Sequence, residues 1–135
     1  MNYIALTKTQ SLQRCVERAK EEYTAAGDNF LINYSRQDAA ILNVIRACES
    51  AIDLANHLIR QRNLGVPSTN RESFELLCEA KLIPEDLGQA LYKMAVFRNI
   101  AVHTYTKLDL AIVVDVIQNR LNDVLRFADI ALSLA

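Results

Sequence analysis

Ile41-Leu42-Asn43-Val44-Ile45-Arg46-Ala47-Cys48-Glu49-Ser50-Ala51-Ile52-Asp53-Leu54-Ala55-Asn56-His57-Leu58-Ile59 is the stretch that decides the fold. Its apolar residues Ile41, Val44, Ile45, Cys48, Ile52, Ala55, Leu58 and Ile59 recur at intervals of three and four. That spacing places them along one side of an α-helix, where they form a stripe that must be buried against other helices. The pattern predicts a long helix from about Ser35 to Asn63, ended by Gly65-Val66-Pro67-Ser68.

The flanking sequence supplies partners of the same kind. Upstream, Ile4 to about Ala26 carries Leu12, Cys15, Val16 and Ala19 on one side, and Gly27-Asp28-Asn29 reads as its stop. Downstream, Thr69 with Glu72 three residues later has capping-box spacing and opens a short helix through Phe74, Leu77 and Cys78. Pro84 fits the first turn of a further helix, with Glu85 and Asp86 at its electropositive end and Leu87, Leu91, Met94 and Ala95 on its apolar face. A last helix is predicted after Thr106, with Asp109 at capping-box spacing, running through Val113, Val114, Ile117, Leu121, Val124 and Ala128. No β-type alternation interrupts these segments.

Composition agrees. The 135 residues are 51% hydrophobic and 23% charged with only three glycines and two prolines, so helix breakers are scarce and a real core is affordable in one domain. The expected fold is all-α: a single antiparallel helical bundle over residues 1–135, with four main helices and a short connecting one. A formal net charge of -1 argues against a broad electrostatic grip on nucleic acid, and DNA is not an expected ligand. A small local phosphate site remains compatible, provided arginines are clustered or a second subunit contributes. Cys15, Cys48 and Cys78 are odd in number and widely spaced, which fits free thiols in a reducing cytoplasm better than zinc or disulfides. No run is long enough to span a membrane, and the N-terminus carries no signal-peptide pattern.

Chemistry concentrates in Arg98-Asn99-Ile100-Ala101-Val102-His103-Thr104-Tyr105. Within two turns it sets a permanent cation, a titratable imidazole and a phenol. Taken singly, each has an ordinary structural reading: an arginine or histidine complements a helix C-terminus, and a tyrosine keeps a wet hydroxyl on a core residue. Together they suit phosphodiester handling. On a continuous helix Arg98, Val102 and Tyr105 share one stripe, and Asn99, His103 and Thr106 the next. Arg98 and His103 diverge by about 140° with about 7.5 Å of rise, so they meet on one target only if the helix breaks or a second copy faces the first across a two-fold axis.

This segment resembles the R-x4-H-x-Y motif of HepT-like toxins, all-helical ribonucleases of the HEPN superfamily. The likeness extends over Ala51–Ile59, the Gly65-Val66-Pro67 turn, Phe74-Glu75-Leu76-Leu77, Met94–Phe97 and the pair Leu108-Asp109, from about Ser35 to Phe127. It implies the toxin of a type II toxin–antitoxin system: a cytoplasmic homodimer that cleaves RNA without a metal or other cofactor, at a cleft shared by the two motifs. Arg98 and His103 would be catalytic, with Asn99 in support. The family's partner is an MntA-type minimal nucleotidyltransferase antitoxin, and the resemblance makes Tyr105 the acceptor of AMP units that inactivate the enzyme. The chemistry fits the side chains. His103 could take a proton from a ribose 2′-hydroxyl or give one to the leaving oxygen, and Arg98 could hold the phosphate. The alternative is a non-catalytic helical dimer that binds a nucleotidyltransferase or a nucleotide in the same cleft.

Glu49, Asp53 and His57 recur every four residues on the long helix, flanked by Arg46 and Arg60. Such a row could face a metal, but it reads first as a solvated face with i,i+4 pairs. Glu49 or Asp53 could also support the active site of a dimer. Gly-rich phosphate loops, Ser-His-Asp arrangements and Cys/His ligand spacing are absent.

Overall fold

The computed structural model describes residues 3–134, and all regular structure among them is helical. Helix α1 (Tyr3–Ala26) leads through a 3-10 turn at Gly27–Asn29 into α2 (Tyr34–Gln61), the long helix of the opening stretch. A short α3 (Asn70–Glu79) crosses to α4 (Glu85–His103). After a second 3-10 turn (Tyr105–Lys107), α5 (Leu110–Asp115), a π-helical turn (Val116–Arg120) and α6 (Leu121–Leu134) complete the chain.

Inter-helix pairs give the directions. Lys8 meets Asp53 and Arg36 meets Glu22, so α1 and α2 are antiparallel. Arg98 meets Glu49 and Tyr105 meets Asp38, which sets α4 antiparallel to α2. Arg62 at the end of α2 donates to the Leu134 carbonyl at the end of α6, so those two run together. The four-helix antiparallel bundle with a short connecting helix is as expected.

The predicted stripe does build the core. Ile41, Val44, Cys48, Ala55, Leu58 and Ile59 are buried in α2, joined by Leu12, Cys15, Val16 and Ala19 of α1. From the last helices come Val113, Ile117, Leu121, Val124 and Ala128. Phe74 meets Phe127 edge-on at 6.3 Å between ring centroids, closing α3 against α6. Cys15 and Cys48 are buried free thiols and Cys78 is half-buried. Burial pushes the Cys48 thiol up to about 12, which leaves it inert.

Local signals differ from the sequence reading in three places. Asn63, not Gly65, stops α2: it takes a left-handed conformation (φ 53°). Leu64 N–H then returns to the Ile59 carbonyl and Asn63 N–H to that of Arg60, satisfying the helix end two residues early. Pro84 is the N-cap of α4 rather than a residue of its first turn, with an extended ψ of 156°. Asp109, not Thr106, caps the helix that follows the motif, its carboxylate accepting from Ala111 N–H at 2.9 Å. The side chain nearer the helix start captured the orphan N–H. Thr69 behaves as predicted, its hydroxyl accepting from Glu72 N–H at 3.1 Å. The Glu72 carboxylate reaches back one residue further than a capping box requires, to the Ser68 hydroxyl at 2.7 Å.

Glu22 is a buried carboxylate that sequence reasoning passed over. Arg36 and Arg18 each donate to it at 2.7 Å, tying the end of α1 to the start of α2. The two guanidiniums, Arg36 foremost, hold its carboxyl below the usual range.

Gly88 shows how closely α3 approaches α4. A Cβ built there would lie 2.3 Å from Cys78 Sγ. Alanine would favour the helix by about 1 kcal/mol, whereas overpacking costs about 1–3 kcal/mol. Gly88→Ala is therefore expected to lower stability in denaturant unfolding, and to raise it when Cys78 is also alanine. Stabilisation by Gly88→Ala alone would contradict this packing.

Candidate active site

The site forms where α4 ends. Helical geometry persists through His103, and Thr104 then leaves it (φ −134°, ψ 44°). Both the N–H and the hydroxyl of Thr104 return to the Ile100 carbonyl, at 2.8 and 2.9 Å. The chain turns at once into the 3-10 segment Tyr105–Lys107. This corrects the expected alignment of Tyr105 with Arg98 and of Thr106 with Asn99 and His103, because no continuous helix joins them. Between Arg98 and His103 the helix is unbroken, so their divergence stands.

Arg98 is held by its neighbours. Its Nη2 donates to Glu49 Oε2 and its Nη1 to Asn99 Oδ1, both at 3.0 Å. The side chain keeps 26% of its surface in solvent. Its Nε–H is buried without a partner among the described residues, but each Nη retains a second N–H. Those two donors can address the oxygens of one phosphate. Asn99 therefore contacts Arg98 rather than His103.

His103 is exposed at the last position of α4, and its imidazole has no hydrogen-bond partner among the described residues. It shares an outward stripe with Val96, Asn99 and Ile100, and the two apolar members are 38% and 46% exposed. An exposed apolar strip thus surrounds an unpartnered imidazole at the end of α4.

Tyr105 lies beyond the helix but is not loose. Its phenol donates a hydrogen bond to Asp38 Oδ1 in the second turn of α2. Partial burial first, and then the Asp38 carboxylate, push the phenol up to about 12. Two carboxylates of α2 thus engage the motif, Glu49 at Arg98 and Asp38 at Tyr105. The sequence reading singled out Glu49 without its partner and missed Asp38. The signal was available: Asp38 lies eleven residues before Glu49, about three helical turns, and so on the same face of α2.

The Glu49, Asp53 and His57 row does not act as one group. Glu49 turns to Arg98 and Asp53 to Lys8 at 3.1 Å. These two pairs are made across helices, to α4 and α1. Beside Glu49, α1 and α2 border a groove of about 680 Å³ that includes Arg14, Arg18 and Arg46. Arg18 is engaged by Glu21 and Glu22, whereas Arg14 and Arg46 have no acidic partner among the described residues. Arg14 and Arg46 thus stand open in this groove, beside the Glu49 and Asp53 carboxylates of α2.

A helical frame that ends one helix in R-x4-H, with a tyrosine just past the break, defines a HEPN-type ribonuclease toxin. The chain belongs to the family described as Ribonuclease HepT-like, which matches residues 12–130. It is similar to the mRNA nuclease HepT of Shewanella oneidensis, 44% identical over 130 residues that cover 96% of this chain and 97% of that protein. Among solved structures it is similar to the tri-AMPylated Shewanella oneidensis HEPN toxin in complex with MNT antitoxin. That likeness has a TM-score of 0.92 and 42% identity, covering 98% of this chain and 99% of that one. A toxin–antitoxin structure with AMP-PNP is similar at a TM-score of 0.91 and 42% identity, over 97% and 99%. The chain is accordingly a ribonuclease, and the non-catalytic alternative is set aside.

The Glu49–Arg98 pair carries a kinetic prediction. Glu49→Ala removes the anchor that presents Arg98 and also a negative charge near the RNA. We expect kcat to fall about 10- to 100-fold through misplacement, with no rise in KM, while Glu49→Gln keeps an acceptor and most of the activity. Steady-state cleavage of a fluorescent RNA measures both. A rise in KM with kcat unchanged would contradict the positioning role.

Proposed function

We propose that this chain is the toxin of a toxin–antitoxin pair, cleaving messenger RNA in the cytoplasm at a cleft built from two copies of the α4 terminus. The observation that carries this reading is the placement of Arg98 and His103 on one unbroken helix. They point apart within a chain, and exposed apolar residues flank each of them, Val102 beside Arg98 and Val96 and Ile100 beside His103. A two-fold axis beside α4 brings Arg98 of one copy towards His103 of the other, which one copy cannot do alone.

In that cleft the RNA supplies its own nucleophile. His103 removes the proton of a 2′-hydroxyl as its oxygen attacks the adjacent phosphorus, and the bond to the 5′-oxygen breaks. The departing oxygen takes a proton from the second imidazole or from water. Arg98, pre-oriented by Glu49 and Asn99, holds the phosphate and stabilises charge on its non-bridging oxygens. The products are a 2′,3′-cyclic phosphate and a 5′-hydroxyl, and no step requires a metal ion. The Arg14, Arg18 and Arg46 groove beside Glu49 suits the flanking strand.

Tyr105 is, in this reading, the acceptor of AMP from an MntA-type nucleotidyltransferase antitoxin, as the tri-AMPylated relative suggests. Each AMP adds a phosphodiester charge and a nucleoside beside the RNA-binding end of α4, excluding substrate by repulsion and bulk.

Cleavage in the presence of a chelator tests the catalytic assignment. His103→Ala and Arg98→Ala, checked for folding and for dimer formation, are each expected to lose about 10²-fold or more in rate. Undiminished cleavage by the His103 variant would remove it from the mechanism.

A further inference from the structure

Asp38 is a carboxylate outside the R-x4-H-x-Y motif, yet it accepts a hydrogen bond from the one phenol in the motif. The contact crosses from α2 to the 3-10 turn behind α4, between residues 67 apart in sequence. We propose that Asp38 is the proton acceptor for nucleotide transfer to Tyr105, so that the toxin brings the base for its own modification. The inference rests on the reading of Tyr105 as the AMP acceptor.

The chemistry needs such a group. In the transfer the Tyr105 oxygen attacks the α-phosphorus of ATP, presented with its magnesium by the nucleotidyltransferase. The Oη–P bond forms, the bond from that phosphorus to the β-phosphate bridge breaks, and pyrophosphate leaves. The phenolic proton must depart as the Oη–P bond forms. Asp38 Oδ1, which already accepts its hydrogen bond, takes it as the bond forms and passes it to solvent afterwards. Carboxylates do the same for hydroxyl acceptors in protein kinases, where the base belongs to the enzyme rather than to the acceptor.

A rival route, attack by preformed phenolate, makes the opposite demand on Asp38. With the phenol pushed up to about 12, only about one molecule in 10⁴ is ionised at pH 8. Asp38 is the only charged group that contributes to that rise; His103 and Lys107 on the same segment and Arg36 on α2 do not. Under the phenolate route Asp38 is a hindrance and its removal speeds modification. Under the base route its removal slows it. The sign of one substitution separates them.

Successive additions sharpen the distinction. A second AMP is received by a hydroxyl of the first nucleotide, not by the phenol, so Asp38 no longer takes the reacting proton. Its influence is confined to the first transfer.

The test follows AMP addition by intact mass, using the full chain, its nucleotidyltransferase, ATP and magnesium. Asp38→Asn keeps the size of an exposed side chain, and its melting temperature checks the fold. We expect its first addition to slow about 10²-fold and to quicken about tenfold per pH unit from pH 7 to 9 as phenolate accumulates, while the native chain stays nearly flat. Later additions keep their native rates, so the variant shows unmodified and fully extended chains with little single-AMP product. A first addition as fast as native or faster overturns the proposal. So does a slower one with the native pH profile, which is what misplacement of Tyr105 alone would give. Tyr105→Phe separates the two levels: if it still takes up AMP, the acceptor reading itself fails. If it does not, and Asp38→Asn behaves as native, only the role of Asp38 fails.

Discussion

The working end of this molecule depends on the antiparallel register of α2 against α4. The register is set by core packing along the α2 stripe, and two carboxylates on an adjacent edge of α2 then act where it leaves them. Glu49 meets Arg98, and Asp38, three turns nearer the start of α2, meets Tyr105. Slide α4 by one turn and both contacts go together. Neither exposed contact contributes much to stability in itself. Their value is positional: one fixes the Arg98 guanidinium, the other the Tyr105 phenol, on opposite sides of the helix break at Thr104.

That break divides two jobs. Up to His103 the helix is rigid and dictates that arginine and histidine face apart. After Thr104 the chain is a short 3-10 turn, whose tyrosine can be reached from outside while remaining close to the catalytic surface. A nucleotide joined to Tyr105 replaces the hydrogen-bonding proton by a phosphodiester, whose charge opposes the Asp38 carboxylate. Modification therefore disturbs the hold of α2 on the turn as well as obstructing the approach of RNA. In the proposed function, activity and its control share one stretch of chain because the helix ends inside it.

Much of this was legible in the sequence. The three-four spacing of Ile41 to Ile59 specified the central helix and its buried side, and Thr69 with Glu72 marked the start of α3. The R-x4-H-x-Y segment carried the resemblance to the HepT-like family to which the chain belongs, and ideal helix geometry was enough to show that Arg98 and His103 diverge. What escaped depended on tertiary contact or on local competition. Asn63 pre-empted Gly65 because a left-handed asparagine already satisfied the end of α2. Asp109 pre-empted Thr106 because Thr104 had broken the helix first. Asp38 shares a face of α2 with Glu49, but its partner comes from beyond α4; Glu22 has an i,i+4 partner in Arg18, but its second partner, Arg36, comes from α2. The Glu49, Asp53 and His57 row looked like one surface from periodicity, yet its carboxylates answer to different neighbours.

The central claim is that arginine and histidine of one chain cannot serve the same phosphate, and that the second copy completes the set. Mixing two inactive proteins, Arg98→Ala and His103→Ala, tests it most directly. After exchange of subunits, a mixed dimer holds one intact Arg98 and one intact His103 on opposite copies. The account predicts RNA cleavage well above that of either parent, rising with the fraction of mixed dimer measured by native mass spectrometry. Mixed dimers as inactive as their parents would contradict it.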